Sequence, residues 1–150
     1  MTATSQNGDH PLTVQPITST VTYTANRPWL ASLHGTDQTE TVTLDASKLA
    51  AGTHYVASTD PAQPYSRLLS GIPLGRITAS GLYGPYDPAA TDGRQNLAGL
   101  VFDETLFAPG QPKIPCALLW HGVARAAKIP GGIDTTKITL SPTGAQIRFV

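Results

Sequence analysis

Charge is scarce in this sequence. Only 13% of its 150 residues are Asp, Glu, Lys or Arg, about half the share usual in globular domains. Ten basic and ten acidic side chains cancel to a formal net charge of zero. Without a basic excess the chain lacks the electrostatic footprint with which proteins hold phosphate backbones, so nucleic acid is not an expected partner. A near-neutral surface is also poorly protected against self-association, which suits a protein that assembles. Cysteine is almost missing: Cys116 stands alone, so no intrachain disulfide can form. Its setting, Cys116-Ala117-Leu118-Leu119-Trp120, reads as a buried apolar thiol, with an activated thiol as the alternative. No apolar run reaches membrane-spanning length, and Met1 to Gly8 has neither a basic start nor an apolar stretch. A membrane is therefore not expected as a partner, and the protein is expected to begin in a cytoplasm.

What the chain has in quantity is punctuation. Its 14 Gly and 13 Pro interrupt it too often for long helices and favour short strands joined by turns. Residues 1–27 are polar, Thr-rich and broken by Pro11 and Pro16, with too little apolar surface to offset the entropy of folding alone. They read as an extended arm, in which Ile17, Thr18, Ser19, Thr20, Val21, Thr22, Tyr23 and Thr24 form a β-branched stretch ready to pair with a sheet edge. Residues 28–150 read as one β-rich domain. Thr39–Asp45 alternates as a half-buried strand; Ser47–Leu49 turns briefly; residues 56–66, with Asp60-Pro61 and Gln63-Pro64, form a loop. A turn at Gly71 leads into a short strand ending near Thr78, after which Gly81-Leu82-Tyr83-Gly84-Pro85-Tyr86-Asp87-Pro88 is expected to loop out. Leu97–Phe102 and Ala117–Val123 are the best core strands, Ala124–Lys128 suits one helical turn, and Gln146–Val150 ends the chain as a strand. The fold class is mainly β with a short helix.

Groups for catalysis are hard to assemble. There is no Gly-x-Ser-x-Gly elbow; Ser80-Gly81 is the nearest look-alike and reads as a loop serine before a turn. His10, His34, His54 and His121 lack the paired spacing of a zinc site, and His121 beside Trp120 reads as a core histidine. Asp87 to Gly93 resembles a calcium loop only in its oxygens and reads instead as turn chemistry. Asp103 and Glu104 are adjacent, so on a strand they point to opposite faces and cannot converge on one substrate. No enzyme activity, cofactor or metal is expected.

The segment from Gly71-Ile72-Pro73-Leu74-Gly75-Arg76-Ile77-Thr78 through Ala90-Thr91-Asp92-Gly93 resembles the lambda-type head decoration proteins of tailed phages, especially those infecting actinobacteria. Trp29-Leu30-Ala31-Ser32, His34-Gly35-Thr36-Asp37 and the strand Thr41–Asp45 resemble the family's N-terminal half, and strands like Ala117–Val123 and Gln146–Val150 fit its remainder. The likeness covers most of the chain. One departure is Lys48-Leu49-Ala50, where the family often carries a bulky aromatic, so packing is expected to differ there. The resemblance implies a small β-barrel-like or β-tulip domain, a homotrimer seated on the major capsid protein at three-fold and quasi-three-fold positions of the expanded shell. That places the protein on the outer capsid surface of the virion, which it would stabilise. Within this scheme Ile17–Thr24 is the expected capsid contact, and Tyr83, Pro85 and Tyr86 are the expected contact between subunits. Two other readings stay open. One is a β-rich carbohydrate- or receptor-binding module, since Trp29, Tyr83, Tyr86 and Trp120 are able to stack on sugars. The other is a different virion part, such as a tail-tube or head-completion protein.

Overall fold

Strict alternation in Thr-Glu-Thr-Val-Thr-Leu-Asp produces strand β1 (Thr39–Asp45), whose Val42 and Leu44 turn inward while its threonines face outward. In this computed structural model, which describes residues 26–142 and 144–150, β1 pairs antiparallel along its whole length with β9 (Lys113–Leu119). The register Val42↔Cys116 and Leu44↔Ile114 brings the two apolar faces together. Between them in sequence lie β2 (Tyr55–Val56), β3 (Ser66–Leu68), β4 (Pro73–Arg76), β5 (Tyr83–Pro85), β6 (Asn96–Leu97), β7 (Gly99–Val101) and β8 (Thr105–Phe107). After β9 come β10 (His121–Ala124), β11 (Thr139–Leu140) and β12 (Gln146–Phe149). The architecture is mainly β, as expected. The expected short helix is realised only as single 3-10 turns at Ala46–Lys48 and Ala126–Lys128.

Five strands close a ring in the order β1-β5-β4-β7-β9. Closure is narrow, because β1 and β5 meet in parallel at the pair Leu44↔Tyr83 alone; the ring is not a clean barrel. Inside it Leu44, Leu74, Ile114 and Leu118 are fully buried with Leu68, Ile72 and Val101. Outside the ring, β2, β3 and β8 form a three-stranded antiparallel sheet, and β6 pairs with β11. β10 pairs in parallel with β12.

A second core lies under that last pair. Trp29 packs with Leu100, Leu119, Ala124, Ile129 and Ile147. Its indole lies against Gly71, whose φ of +85° and lack of a side chain are both required, since a Cβ there would enter the indole ring. Trp29 Nε1 donates to Ser70 Oγ at 3.2 Å, and Ser70 Oγ donates to the Asn26 carbonyl at 3.3 Å. Arg27, counted with the arm on sequence, is bound to the body: it stacks on Phe102, 4.1 Å from the ring centre, donates to the Phe102 carbonyl and pairs with Asp103.

Three sequence expectations are corrected here. Residues 81–88 do not simply loop out. Hydrogen bonds from Ile77 N to the Leu82 carbonyl and from Gly81 N to the Ile77 carbonyl turn the chain back, so that β5 completes the ring against β4. Gly84 fits because Lys48 and Arg94 crowd its Cα. Pro85 is tolerated because β1 meets β5 only at Tyr83, leaving no second ladder at Pro85 to need its missing N–H. Next, Ala117–Val123 is not one strand. β9 starts earlier, running through Pro115 where β7 does not reach, and the chain leaves the ring at Trp120 to form β10. Leu97–Phe102 likewise breaks at Ala98, whose N–H turns to the Leu74 carbonyl.

Candidate functional site

One end of the ring opens into a cavity of about 380 Å³. Ala98 and Leu118, both buried, help to line it, together with Tyr83, Trp120, Glu40 and Gln146. Each comes from a different place in the chain. Glu40 stands on the outer part of β1 opposite Leu118, and Tyr83 opens β5 opposite Arg76. Trp120 occupies the break between β9 and β10. Gln146 begins β12, its N–H held by the Trp120 carbonyl at 2.7 Å.

The aromatic groups are braced. Trp120 stacks on His121 with ring centres 5.6 Å apart and planes 30° apart, and His121 meets His34 edge-on at 4.9 Å. Burial, with the neighbouring Glu40 carboxylate, holds the Tyr83 phenol above its ordinary value, although Arg76 pulls the other way. The phenol is therefore a neutral hydrogen-bonding group at physiological pH.

The structure separates the residues that the sequence singled out. Ile17–Thr24 lies outside the described residues. Trp29 is core, 1% exposed. Pro85 is buried within its own chain, and Tyr86 donates its hydroxyl to the Lys137 carbonyl at 3.1 Å and lines a different cavity from Tyr83. Thus Tyr83 and Trp120 share one site, while Trp29 and Tyr86 do not belong to it. His121 is half-buried beside His34 and so is not the enclosed core histidine expected. His54 is a turn residue whose Nδ1 accepts from Ala50 N at 2.8 Å, and burial lowers its pKa.

The remaining polar groups serve turns and ties. Ser80 Oγ accepts from Leu82 N. In the loop before β6, Asp87 caps Ala89 N at 2.9 Å, Asp92 accepts from Arg94 N and Nε, and Gly93 takes φ +115°, the turn chemistry read from sequence. Asp103 and Glu104 lie in the link between β7 and β8 and not on a strand, and they pair separately with Arg27 and Arg67. Cys116 is buried, and burial pushes its thiol up to about 12. Among the described residues, no group of three or more His, Cys, Asp or Glu side chains is placed to hold a metal ion, and no helix is long and apolar enough to cross a membrane.

Sequence reasoning missed two features. Glu40 and Gln146 carry no motif, and only the ladder brings them to the cavity. The other is on the outer sheet, where the exposed apolar Val56 and Leu106 flank Arg67 across β2, β3 and β8. Tyr65, just before β3, lines the same shallow surface as Val56 and Arg67. Val56, Tyr65 and Leu106 are 44%, 53% and 44% exposed. No local signal marks it, because Val56, Arg67 and Leu106 stand on three different strands and β2 and β8 are too short to show a period. No protein-family model matches this chain, and no curated protein or solved structure is significantly similar to it.

Proposed function

We propose that the chain is a structural protein of a phage particle, a trimer bound to the outer surface of the expanded capsid at three-fold and quasi-three-fold positions, where it stabilises the shell. The observation that carries the reading is the segment Gly71–Gly93. Its residues resemble those of the lambda-type decoration proteins, and they form β4 and β5, two of the five strands of the ring. A small, mainly β body with few charges supports the same reading. A closed trimer can match a lattice axis with three copies of one contact, so that modest contacts add through effective concentration.

The capsid contact is assigned to the Thr-rich segment Ile17–Thr24, by strand addition to an edge of the major capsid protein. The chain enters the body at Asn26 and Arg27, which fixes where that segment is tethered. For the contact between copies, the outer face of the β2–β3–β8 sheet is favoured over the Tyr83–Tyr86 stretch. Tyr65, Val56 and Leu106 are apolar and exposed there, whereas Pro85 is spent inside its own fold.

The test is to add purified protein to undecorated expanded heads. Saturation in multiples of three, lost on deletion of residues 1–25, is the expected result; no binding to heads would overturn the reading. The subunit contact is tested separately by light scattering of Tyr65→Ser with Leu106→Ser. Dissociation to monomers is expected, and a surviving trimer would return the contact to Tyr83 and Tyr86.

A further inference from the structure

We propose that the cavity between Tyr83 and Trp120 binds a single neutral pyranose ring, as the terminal sugar of a glycan. This stands apart from the capsid reading, because it uses a different surface and a different experiment. At about 380 Å³ the cavity lies near the small end of the range for ligand pockets, roughly 300–1,000 Å³. That is room for at least one ring, with the rest of a glycan free to leave through the open side.

The lining has the two kinds of group that a sugar needs. Pyranoses present an apolar face of C–H bonds and an equatorial belt of hydroxyls, so their sites combine an aromatic surface with planar polar side chains. Tyr83 and Trp120 supply aromatic surface from two different strands' ends. Glu40 supplies an acceptor carboxylate, and Gln146 an amide that both donates and accepts. Neither the Glu40 carboxylate nor the Gln146 amide is engaged by another side chain or backbone group among the described residues. They are therefore free to meet hydroxyls. The stacking of Trp120 on His121 and the hydrogen bond from Gln146 N to the Trp120 carbonyl hold the platform in place before a ligand arrives, which lowers the ordering cost of binding.

Charge selects among sugars. Glu40 lines the cavity and no Lys or Arg does, so a carboxylate-bearing sugar meets repulsion at close range, which Arg76, behind Tyr83, offsets only in part. Uronic and sialic acids are disfavoured on that ground, and neutral hexoses or N-acetylhexosamines are favoured. The same lining is too polar for a purely apolar ligand, which would leave the Glu40 and Gln146 groups desolvated and unmatched.

The experiment is saturation-transfer NMR on the full chain with methyl glycosides of glucose, galactose and mannose, with N-acetylglucosamine, and with methyl glucuronide as the anionic probe. Each is used at about 50 mM, well above the millimolar dissociation constant that one shallow ring contact supports. Tryptophan fluorescence gives a second readout. The chain has two tryptophans and Trp29 is buried, so a ligand-dependent change reports Trp120. At least one neutral sugar is expected to give saturable signals in both, and methyl glucuronide weaker ones. Trp120→Ala is expected to weaken binding at least tenfold, and Glu40→Gln, at an exposed position that leaves folding intact, several-fold. Three results would overturn the proposal: no signal from any neutral sugar, glucuronide binding as well as the neutral sugars, or binding unchanged in Glu40→Gln.

Discussion

The two cores of this protein are built on different plans. The ring core is enclosed by ladders: Leu44, Ile114 and Leu118 are each neighbours along a strand of other inward residues, and every one is set by alternation. The Trp29 core is gathered from scattered pieces: a residue just after Pro28, one each from β7, β9 and β10, the 3-10 region near Ile129, and β12. The difference teaches where cooperativity resides. A ring of hydrogen-bonded strands shares each perturbation among its neighbours, while the second core depends on one large side chain to join the pieces.

That contrast is sharpest at Trp29 itself. Trp29→Ala is expected to cost about 4 kcal/mol, against about 3 kcal/mol for Leu44→Ala, measured by denaturant unfolding. Hydrogen exchange on the Trp29 variant should show β10 and β12 opening well before β1 and β9. Equal loosening of all four strands would mean that the two cores are one cooperative unit. A smaller effect is expected at Ser70, whose hydroxyl bridges Trp29 Nε1 and the Asn26 carbonyl. Ser70→Ala leaves a buried indole N–H unpaired, for about 1–3 kcal/mol. A neutral result would show that the indole is positioned by packing against Gly71 alone.

Cys116 reports on the ring from within. Its ordinary value is 9.0, and burial raises it to about 12. Below 9.0 the thiol is neutral in both folded and unfolded chains and stability does not depend on it. Between these two values only the unfolded chain ionises, so stability falls as pH rises, and a Cys116→Ala chain should lack that part of the alkaline decline. Native protein at pH 8 is expected to resist a thiol-specific disulfide reagent, and so is the Trp29→Ala variant while it remains folded. Rapid labelling in that variant would break the distinction between the cores.

Only part of the ring was readable in advance: β1 obeys simple alternation, whereas β9 begins earlier than its apolar run suggests and β7 is cut off at Ala98. β1 coincides with the predicted Thr39–Asp45, and β12 and the two 3-10 turns fall where the sequence puts them. β5 was hidden, since Gly84 and Pro85 argue locally against a strand and only the crowding by Arg94 and the partial ladder at Tyr83 make them suitable. The cavity was less legible still. Tyr83 and Trp120 attract notice as aromatics, but Glu40 and Gln146 are ordinary polar residues whose convergence follows from register, a long-range property that local pattern does not encode.

The fastening at the entry to the body has a mechanical meaning. Arg27 is clamped to Phe102 and Asp103, and two residues later Trp29 is wedged beneath Gly71 with its carbonyl holding Arg125 N at 2.6 Å. Tension applied ahead of Asn26 would thus be taken up first by a charged surface tie and then by a buried wedge. The load would divide between β10, through the Arg125 N–H, and the ring, through Phe102 and its bond to Ala117. A pull on the leading segment would thus meet two fastenings in series before it was shared between the two cores.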